Sequence, residues 1–400
     1  MRILVVCQYY YPEPFRITDI CETLVQMGHE VTVLTGLPNY PEGYVLDEYR
    51  RGNKRNENVN GVNVIRCFEV GRGHGHLRLF LNYLSFAVSA SLRAIKLDNH
   101  FDVVYVNQLS PVMMAIPGII YKRKNNKKLL LYCLDLWPES LAAGGISNDS
   151  YIYKLLWYIS KKIYQSADKI LVSSATFKEY FGDVLQMDTS VIDHLPQYAE
   201  DLFIGKTDDT DEMTDDHNKY NFVFAGNIGE MQSVDTIIKA ANLLRDHEEI
   251  SFHIVGDGAK LEECKELALD LGLENVRFYG RLAIAEMPSF YAGASAMLIT
   301  LKNNKPLSYT LPGKLQSYMA AGKPVVGSIN GETARVIRES GCGLCCAAED
   351  FGALARLLLE FCDSDQKAQM GLNSKHYYAK QYRKDRFTSR VENSLIALAN

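Results

Sequence analysis

Pro306-Leu307-Ser308-Tyr309-Thr310-Leu311-Pro312-Gly313-Lys314-Leu315-Gln316-Ser317-Tyr318-Met319-Ala320-Ala321-Gly322-Lys323-Pro324-Val325-Val326-Gly327-Ser328 is the stretch around which the chain is organised. It reads as a loop, a short helix, a tight turn and a buried strand. Leu311-Pro312-Gly313 breaks any preceding element, and proline fits the first turn of a helix. Leu315, Tyr318 and Met319 recur at helical spacing. Gly322 closes the helix, and Pro324 cannot continue it. Val325-Val326 then opens a strand. The helix therefore begins with free backbone N–H groups, the positive end of a dipole and a lysine in its first turn. Together these suit an anion such as phosphate. An ordinary helix start with a solvated lysine reads equally well from these residues alone.

Outward from this stretch, the whole chain alternates strand and helix. In the first half, residues 3–7 form a buried strand and a Tyr/Pro loop follows. Ile17, Ile20, Leu24 and Val25 then make a helical stripe, and residues 30–35 form a second strand. Strand, helix and strand at this length make a βαβ unit with a parallel sheet. Further strands are predicted over 63–67, 103–107, 129–134, 169–173 and 191–195, and helices over 77–98, 112–123 and 151–165. A second α/β domain opens with Phe222-Val223-Phe224-Ala225-Gly226-Asn227-Ile228-Gly229. It continues through strands at 251–255, 276–279, 296–300 and 344–347. Helices are expected at 234–245, 260–271, 287–292 and from 351 onward. The fold class is α/β, with two doubly wound domains. The boundaries read as 1–199, an acidic linker 200–219, 220–374, and a helical tail 375–400 that crosses back to the first domain.

The chain has 400 residues and a net charge of −5, which argues against nucleic acid as a partner. Asp209-Thr210-Asp211 spells a D-x-D metal–nucleotide motif, but it sits in a run so acidic that solvation explains it. Met1-Arg2 leads straight into a strand and not into an export signal, so the nine cysteines are expected to be reduced and cytosolic. Cys342 and Cys345 have C-x-x-C spacing without a second pair or a nearby histidine, so core packing is the better reading and no metal is expected. No apolar run is long enough to span a bilayer.

Ligands of doubly wound folds bind outside the carboxyl ends of the strands. In the second half those ends carry Gly226-Asn227-Ile228-Gly229, Gly256-Asp257-Gly258, Gly280-Arg281 and the turn from Leu311 to Lys314. Glycine lets backbone approach a ligand, and Arg281 and Lys314 can neutralise a diphosphate. Four such loops with two cations favour a nucleotide diphosphate over a set of plain turns. A cleft between two such sheets can hold two substrates.

With these residues in place, the chain resembles a GT-B glycosyltransferase of family 4, in which two Rossmann-like domains face each other across a cleft. The resemblance rests on Tyr10-Tyr11-Pro12-Glu13, Gly28-His29-Glu30-Val31-Thr32-Val33-Leu34-Thr35 with Pro38-Asn39-Tyr40-Pro41, and Asp135-Leu136-Trp137-Pro138-Glu139. In the second half it rests on Phe224-Ala225-Gly226-Asn227-Ile228-Gly229, Val255-Gly256-Asp257-Gly258, and Lys314-Leu315 with Ala320-Ala321-Gly322-Lys323-Pro324-Val325. It covers nearly the whole chain and is nearest to bacterial N-acetyl-L-fucosamine transferases of polysaccharide assembly, such as capsule and O-antigen. It implies a retaining, metal-independent transfer from a UDP-linked or similar donor on the second domain to a carbohydrate or undecaprenyl-linked acceptor on the first. No other cofactor is implied.

The resemblance assigns catalytic roles to Lys314, Asp135 and Arg281. It assigns the donor to Gly226, Asn227, Gly229, Gly256, Asp257, Tyr309, Pro312, Gly313, Leu315 and Ser317, and the acceptor to Tyr10, Glu13, Arg16, Trp137 and Glu139. This chain departs from the family where two glutamates with seven residues between them are usual. Tyr309 and Ser317 stand there, so the ribose-binding glutamate is absent and donor identity is open. The usual Arg and Lys after the first strand of the second domain are replaced, near Asn227 and Gln232. A turn or N-cap role remains the alternative for Asp135. His29 reads as structural, and His74 and His76 as loop residues.

The helix from Leu77 carries more apolar surface than one core face needs. Arg72 and Arg78 precede or begin it, and Tyr121-Lys122-Arg123-Lys124-Asn125-Asn126-Lys127-Lys128 adds a basic run. A membrane surface through 72–96 and 121–128 fits these residues. A buried helix with a solvated loop fits them as well. The function expected is transfer of an N-acetylated amino sugar, the enzyme lying in the cytoplasm or on the inner membrane face. A hexosyl transferase, a non-catalytic sugar-binding protein and a two-domain epimerase are the other readings.

Overall fold

β1 (Arg2–Val6) is buried at every position after Arg2, as a parallel strand covered on both faces requires. The computed structural model describes residues 1–73, 75–143, 147, 149–204 and 220–400. The chain divides into unit 1, Met1–Leu195 with Asp385–Asn400, and unit 2, Pro196–Lys384.

In unit 1, β1 is followed by α1 (Ile17–Gln26), β2 (Glu30–Thr35), β3 (Asn56–Val59), β4 (Val62–Arg66) and α2 (His76–Lys96). Then come β5 (Val103–Gln108), α3 (Ile116–Asn125), β6 (Lys128–Cys133), α4 (Glu139–Ala143), α5 (Tyr151–Tyr164), β7 (Lys169–Val172), α6 (Ala175–Asp183) and β8 (Ile192–His194). The sheet order is β3-β4-β2-β1-β5-β6-β7-β8, parallel except for the β3–β4 pair. β3 was not expected, because its Asn56-Glu57-Asn58-Val59 lacks an apolar stripe. The signal for it was the next pair, Asn60-Gly61, with φ of 50° and 87°, which closes a two-residue hairpin from Val59 to Val62. The helix expected over 112–123 is a 3-10 turn, Val112–Ala115, running into α3. The basic run at its end is largely engaged. Lys122 and Lys128 both pair with Asp168, and Lys124 Nζ donates to Ile95 O and Leu97 O. Lys124 and Lys128 remain exposed while making these contacts.

Unit 2 runs β9 (Tyr220–Ala225), α7 (Val234–Leu243), β10 (Ile250–Val255), α8 (Leu261–Asp270), β11 (Val276–Gly280), α9 (Met287–Gly293) and β12 (Ala296–Thr300). It continues through α10 (Lys305–Ser308), α11 (Gly313–Ala320), β13 (Val325–Ser328), α12 (Gly331–Ser340), β14 (Gly343–Cys346), α13 (Phe351–Asp363) and α14 (Lys367–Gln381). Its all-parallel order, β11-β10-β9-β12-β13-β14, is that of a dinucleotide-binding fold, with the switch of direction between β9 and β12. Unit 1 shows the same switch between β1 and β5.

α11 ends as expected. Gly322 takes a φ of 71°, its N–H bonds Met319 O, and Lys323 N–H reaches back to Tyr318 O. Residues 200–204, expected to open the linker, are folded instead. Phe203 is buried and stacks on Tyr291 with ring centroids 4.9 Å apart. The rest of that stretch, Asp209-Thr210-Asp211 included, lies outside the described residues, as do His74 and the side chain of His76. The last helix, α15 (Lys384–Ala399), closes unit 1. Phe387, Val391 and Leu395 are buried, Phe387 meets Tyr132 edge-on, and Glu392 lies 2.8 Å from Nε2 of His29.

Candidate functional site

In unit 2, three neighbouring residues at the end of β9 meet α11. Lys314 lays its Nζ over the Phe224 ring, 4.2 Å from the centroid. Tyr318, one turn further on, clamps Ala225 from the side: its hydroxyl accepts from Ala225 N at 3.1 Å and donates to Ala225 O at 3.0 Å. Gly226 comes next, and a methyl group built on it would sit 3.3 Å from Lys314 Nζ. The Lys314 stem is partly exposed, yet its amine is sealed from solvent and has no hydrogen-bond partner among the described residues. Burial alone lowers its pKa to about 7. A buried, unpaired lysine is costly, so an anion delivered here would restore its charge and gain from it.

The glycine loops form one surface. Gly226 N–H donates to Val255 O, Gly256 N–H to Gly280 O, and Ile228 N–H to Asp257 O, at 2.8–2.9 Å. Gly256, with φ of 143°, packs so tightly on the Gly226 carbonyl that any Cβ would collide with it. Asn227 donates to Gln232 Oε1 at 3.0 Å and Gly229 N–H to the same oxygen at 3.2 Å, so Gln232 holds this turn. Asp257 is exposed, its Oδ1 accepting from Gly258 N–H at 2.7 Å. Pro312 caps α11, and Gly313 and Lys314 open it, leaving N–H groups with no partner inside the helix.

Other expected donor residues fall elsewhere. Leu315 is a fully buried core residue whose N–H bonds Pro312 O. Ser317 is buried, and its hydroxyl turns back to Gly313 O at 3.5 Å. Neither side chain is presented to a ligand, because the helical period turns them inward. Tyr309, half-buried, follows α10. Arg281 is exposed on the loop after β11, the sheet edge, two strands and about 10 Å from β9. The structure does not bring it to Lys314.

In unit 1 the expected acceptor residues are mostly internal. Tyr10 is fully buried beside Cys21. Glu13 accepts three backbone N–H groups, from Asn39 at 2.9 Å, Tyr40 at 2.8 Å and Tyr10 at 3.2 Å. It thereby ties the loop after β1 to the loop after β2, and burial raises its pKa to about 7 despite those bonds. Trp137 is buried with Nε1 donating to Ser110 Oγ at 2.9 Å. Glu139 accepts from the Tyr153 and Tyr180 hydroxyls at 2.6 and 2.9 Å. These four are buried, and Glu13, Trp137 and Glu139 are engaged in hydrogen bonds that shape the loops of unit 1. Arg16, half-buried, begins α1. Asp135 follows β6, and its Oδ2 accepts from Ser110 N–H at 3.0 Å. Its pKa is raised by burial and pulled down by that bond.

A polar cluster that sequence reading did not find occupies the strand ends of unit 1. Gln8 Nε2 donates to Glu69 Oε1 at 2.7 Å, and Asn82 Nδ2 to the same oxygen at 2.5 Å. Asn39 Nδ2 joins them at 3.3 Å. Gly36 has no room for a side chain because the Glu69 carboxyl fills it. Burial holds the Glu69 pKa well above the usual carboxylate range, and its Oε2 has no partner among the described residues. The one sequence signal was Asn82, polar and buried in an apolar helix. Beside the cluster, Tyr9, Phe15 and Tyr40 pack ring to ring, and the Arg72 guanidinium lies 5.7 Å over Tyr40.

Residues 16–196 match the model described as Glycosyltransferase Family 4, and residues 206–379 the one described as Glycosyl transferases group 1. The chain is 28% identical over 316 residues to "Probable glycosyltransferase WbjE" of Pseudomonas aeruginosa, spanning 76% of this chain and 78% of that one. WcaI of Escherichia coli (strain K12), named for colanic acid biosynthesis, is 25% identical, with 80% and 82% covered. The fold superposes on Anabaena Alr3699/HepE, solved in complex with UDP, with a TM-score of 0.74 at 14% identity and all of both chains covered. Likeness at that identity establishes the GT-B fold.

Proposed function

We propose that this glycosyltransferase, a family 4 domain followed by a group 1 domain, moves a sugar from a nucleotide diphosphate to a carbohydrate acceptor in surface-polysaccharide assembly. The observation that carries the reading is the sealed, unpaired Lys314 amine beside Gly226 at the switch point of unit 2. The diphosphate lies along the glycine loops, with its leaving oxygen at Lys314 and the first N–H groups of α11. As the anomeric carbon–oxygen bond to the diphosphate breaks, the acceptor oxygen bonds that carbon from the same face, with retention. The acceptor proton passes to the leaving phosphate oxygen. Charge stabilisation by Lys314 is the protein's main contribution, and no metal ion is needed. Asp135 orients a substrate hydroxyl from unit 1.

UDP is the proposed nucleotide, as HepE was solved with it. An N-acetylated amino sugar follows from the resemblance to N-acetyl-L-fucosamine transferases. A hexose is the second reading, because HepE was also solved with UDP-glucose. The acceptor is lipid-linked, of the undecaprenyl type, and α2 supports this. Its Leu77, Leu81, Leu84, Val88, Leu92 and Ile95 form one exposed apolar stripe, and its charged residues, Arg78, Arg93 and Lys96, are all basic. α5 repeats the pattern with exposed Tyr151, Ile152, Leu155 and Tyr158 and only lysines for charge. Both helices pack against the 3-10 turn Val112–Ala115. None of the described helices is long and apolar enough to cross a membrane, and the enzyme rests on the inner membrane face by this surface.

A panel of nucleotide sugars, scored for nucleotide release with and without lipid-linked acceptor, tests the reading. Release confined to UDP-sugars supports it, and binding without release from any donor would make this a sugar-binding protein. Lys314→Ala is expected to lower kcat about 10²–10³-fold with the fold intact by circular dichroism. Turnover close to wild type would remove Lys314 from the diphosphate.

A further inference from the structure

A cavity of about 350 Å³ opens in unit 1 between the β3–β4 hairpin and the last two turns of α2. Four cations line it: Arg55 and Arg66 from the hairpin side, and Arg93 and Lys96 from the helix. No acidic residue does. Arg66 is neutralised, since it pairs with Glu57 and donates to Tyr11 O. Arg55, Arg93 and Lys96 make no ion pair among the described residues. Helix ends often hold basic side chains to serve their last carbonyls. Here Lys124 already serves them, bonding Ile95 O and Leu97 O, which leaves Arg93 and Lys96 free for another role. The cavity of unit 2 makes the contrast. Its lysines 239, 260 and 302 are each paired, with Asp235, with Glu230 and Glu263, and with Glu230.

Three uncompensated cations around a concave space call for an anion with several oxygens, such as a phosphate. The surroundings say which kind. Leu92 lines the cavity and also belongs to the exposed apolar stripe of α2, so the anion site and the apolar surface are continuous. A ligand with a phosphate head and a hydrocarbon body matches both parts at once. We propose that this cavity holds the phosphate headgroup of an anionic phospholipid, while the α2 stripe lies in the acyl boundary beside it. The inference rests on the membrane surface proposed above and gives it a specific lipid contact. Arg55, Arg93 and Lys96 belong to neither the donor nor the acceptor machinery.

Flotation with phosphatidylcholine vesicles, and with vesicles carrying about one third phosphatidylglycerol, tests it on the full chain. Wild type is expected to float far better with phosphatidylglycerol. Arg93→Gln with Lys96→Gln is expected to weaken that binding about 30-fold and to remove its dependence on phosphatidylglycerol. Leu84→Asp with Val88→Asp is expected to lose both vesicle types. Unchanged melting and unchanged turnover on a soluble acceptor show that each variant is folded. If the Arg93/Lys96 variant keeps the phosphatidylglycerol preference while the Leu84/Val88 variant fails to float, the headgroup site is wrong and the membrane surface stands. If wild type ignores both vesicles, both are wrong. Binding of inorganic phosphate that depends on Arg93 and Lys96, without flotation, would replace the lipid by a soluble phosphate. Donor turnover is not read in flotation, so failure of the transferase reading shows separately.

Discussion

Lys314 carries a pH signature that its position in sequence does not reveal. Its amine sits near pKa 7 in the free protein, against an ordinary value of 10.5. An anion beside it favours the charged form and raises that value. Near pH 8 the free lysine is mostly neutral and the complexed one charged, so binding of UDP is expected to take up about one proton, falling towards none near pH 5. Calorimetry in buffers of different ionisation enthalpy measures this, and zero uptake near pH 8 would contradict it. The sign for stability follows. Below about pH 7 the lysine is charged in both folded and unfolded states and the full burial penalty applies. Between 7 and 10.5 only the unfolded state holds the extra proton, so the penalty fades as pH rises. The location of Lys314 at a helix start was legible, because Pro312-Gly313 and the spacing of Leu315, Tyr318 and Met319 are local. Its seal was not legible, because Phe224 and Gly226 arrive from ninety residues earlier. The same limit explains Glu13. A glutamate on a strand-end loop reads as ligand-facing until the three N–H groups that it collects are known.

Among the elements, α11 does more than present a lysine. Its Tyr318 hydroxyl closes both backbone bonds of Ala225 and so fixes where β9 ends and Gly226 turns. Tyr318→Phe leaves both backbone groups of Ala225 without that partner in a buried place and is expected to cost about 1–3 kcal/mol. It is also expected to raise KM for the donor more than it lowers kcat, because it holds the glycine loop and not the leaving group. Thermal denaturation with steady-state kinetics checks both, and an unchanged KM would make the clamp purely structural. Most buried parallel strands and their following helices were legible as apolar runs bounded by glycine and proline, but α6 and α12 were missed, their few apolar residues being set among charged and polar ones. β3, α4 and α10 were not legible either, because short elements of five residues or fewer leave too few positions for a periodic pattern. The split of residues 112–125 turns on Pro117, which suits a helix start and breaks a helix that began earlier.

Across the whole molecule, both chain ends belong to unit 1, and unit 2 is one uninterrupted segment within it. The order of appearance during synthesis follows. Residues 1–195 emerge first but lack α15, whose Phe387, Val391 and Leu395 complete their core. Unit 2 is whole once Lys384 is out. Residues 385–400 are made only after all of unit 2, so unit 1 cannot close before unit 2 has been synthesised, and those sixteen residues act as a late latch. A chain stopped after Lys384 is expected to keep UDP binding in unit 2 while unit 1 becomes sensitive to protease, read by nucleotide titration and by mapping the cleavage sites. Equal resistance in both halves would show that the latch is dispensable. Loss of α15 would thus strike the half that holds the polar cluster at Glu69 and spare the half that holds Lys314.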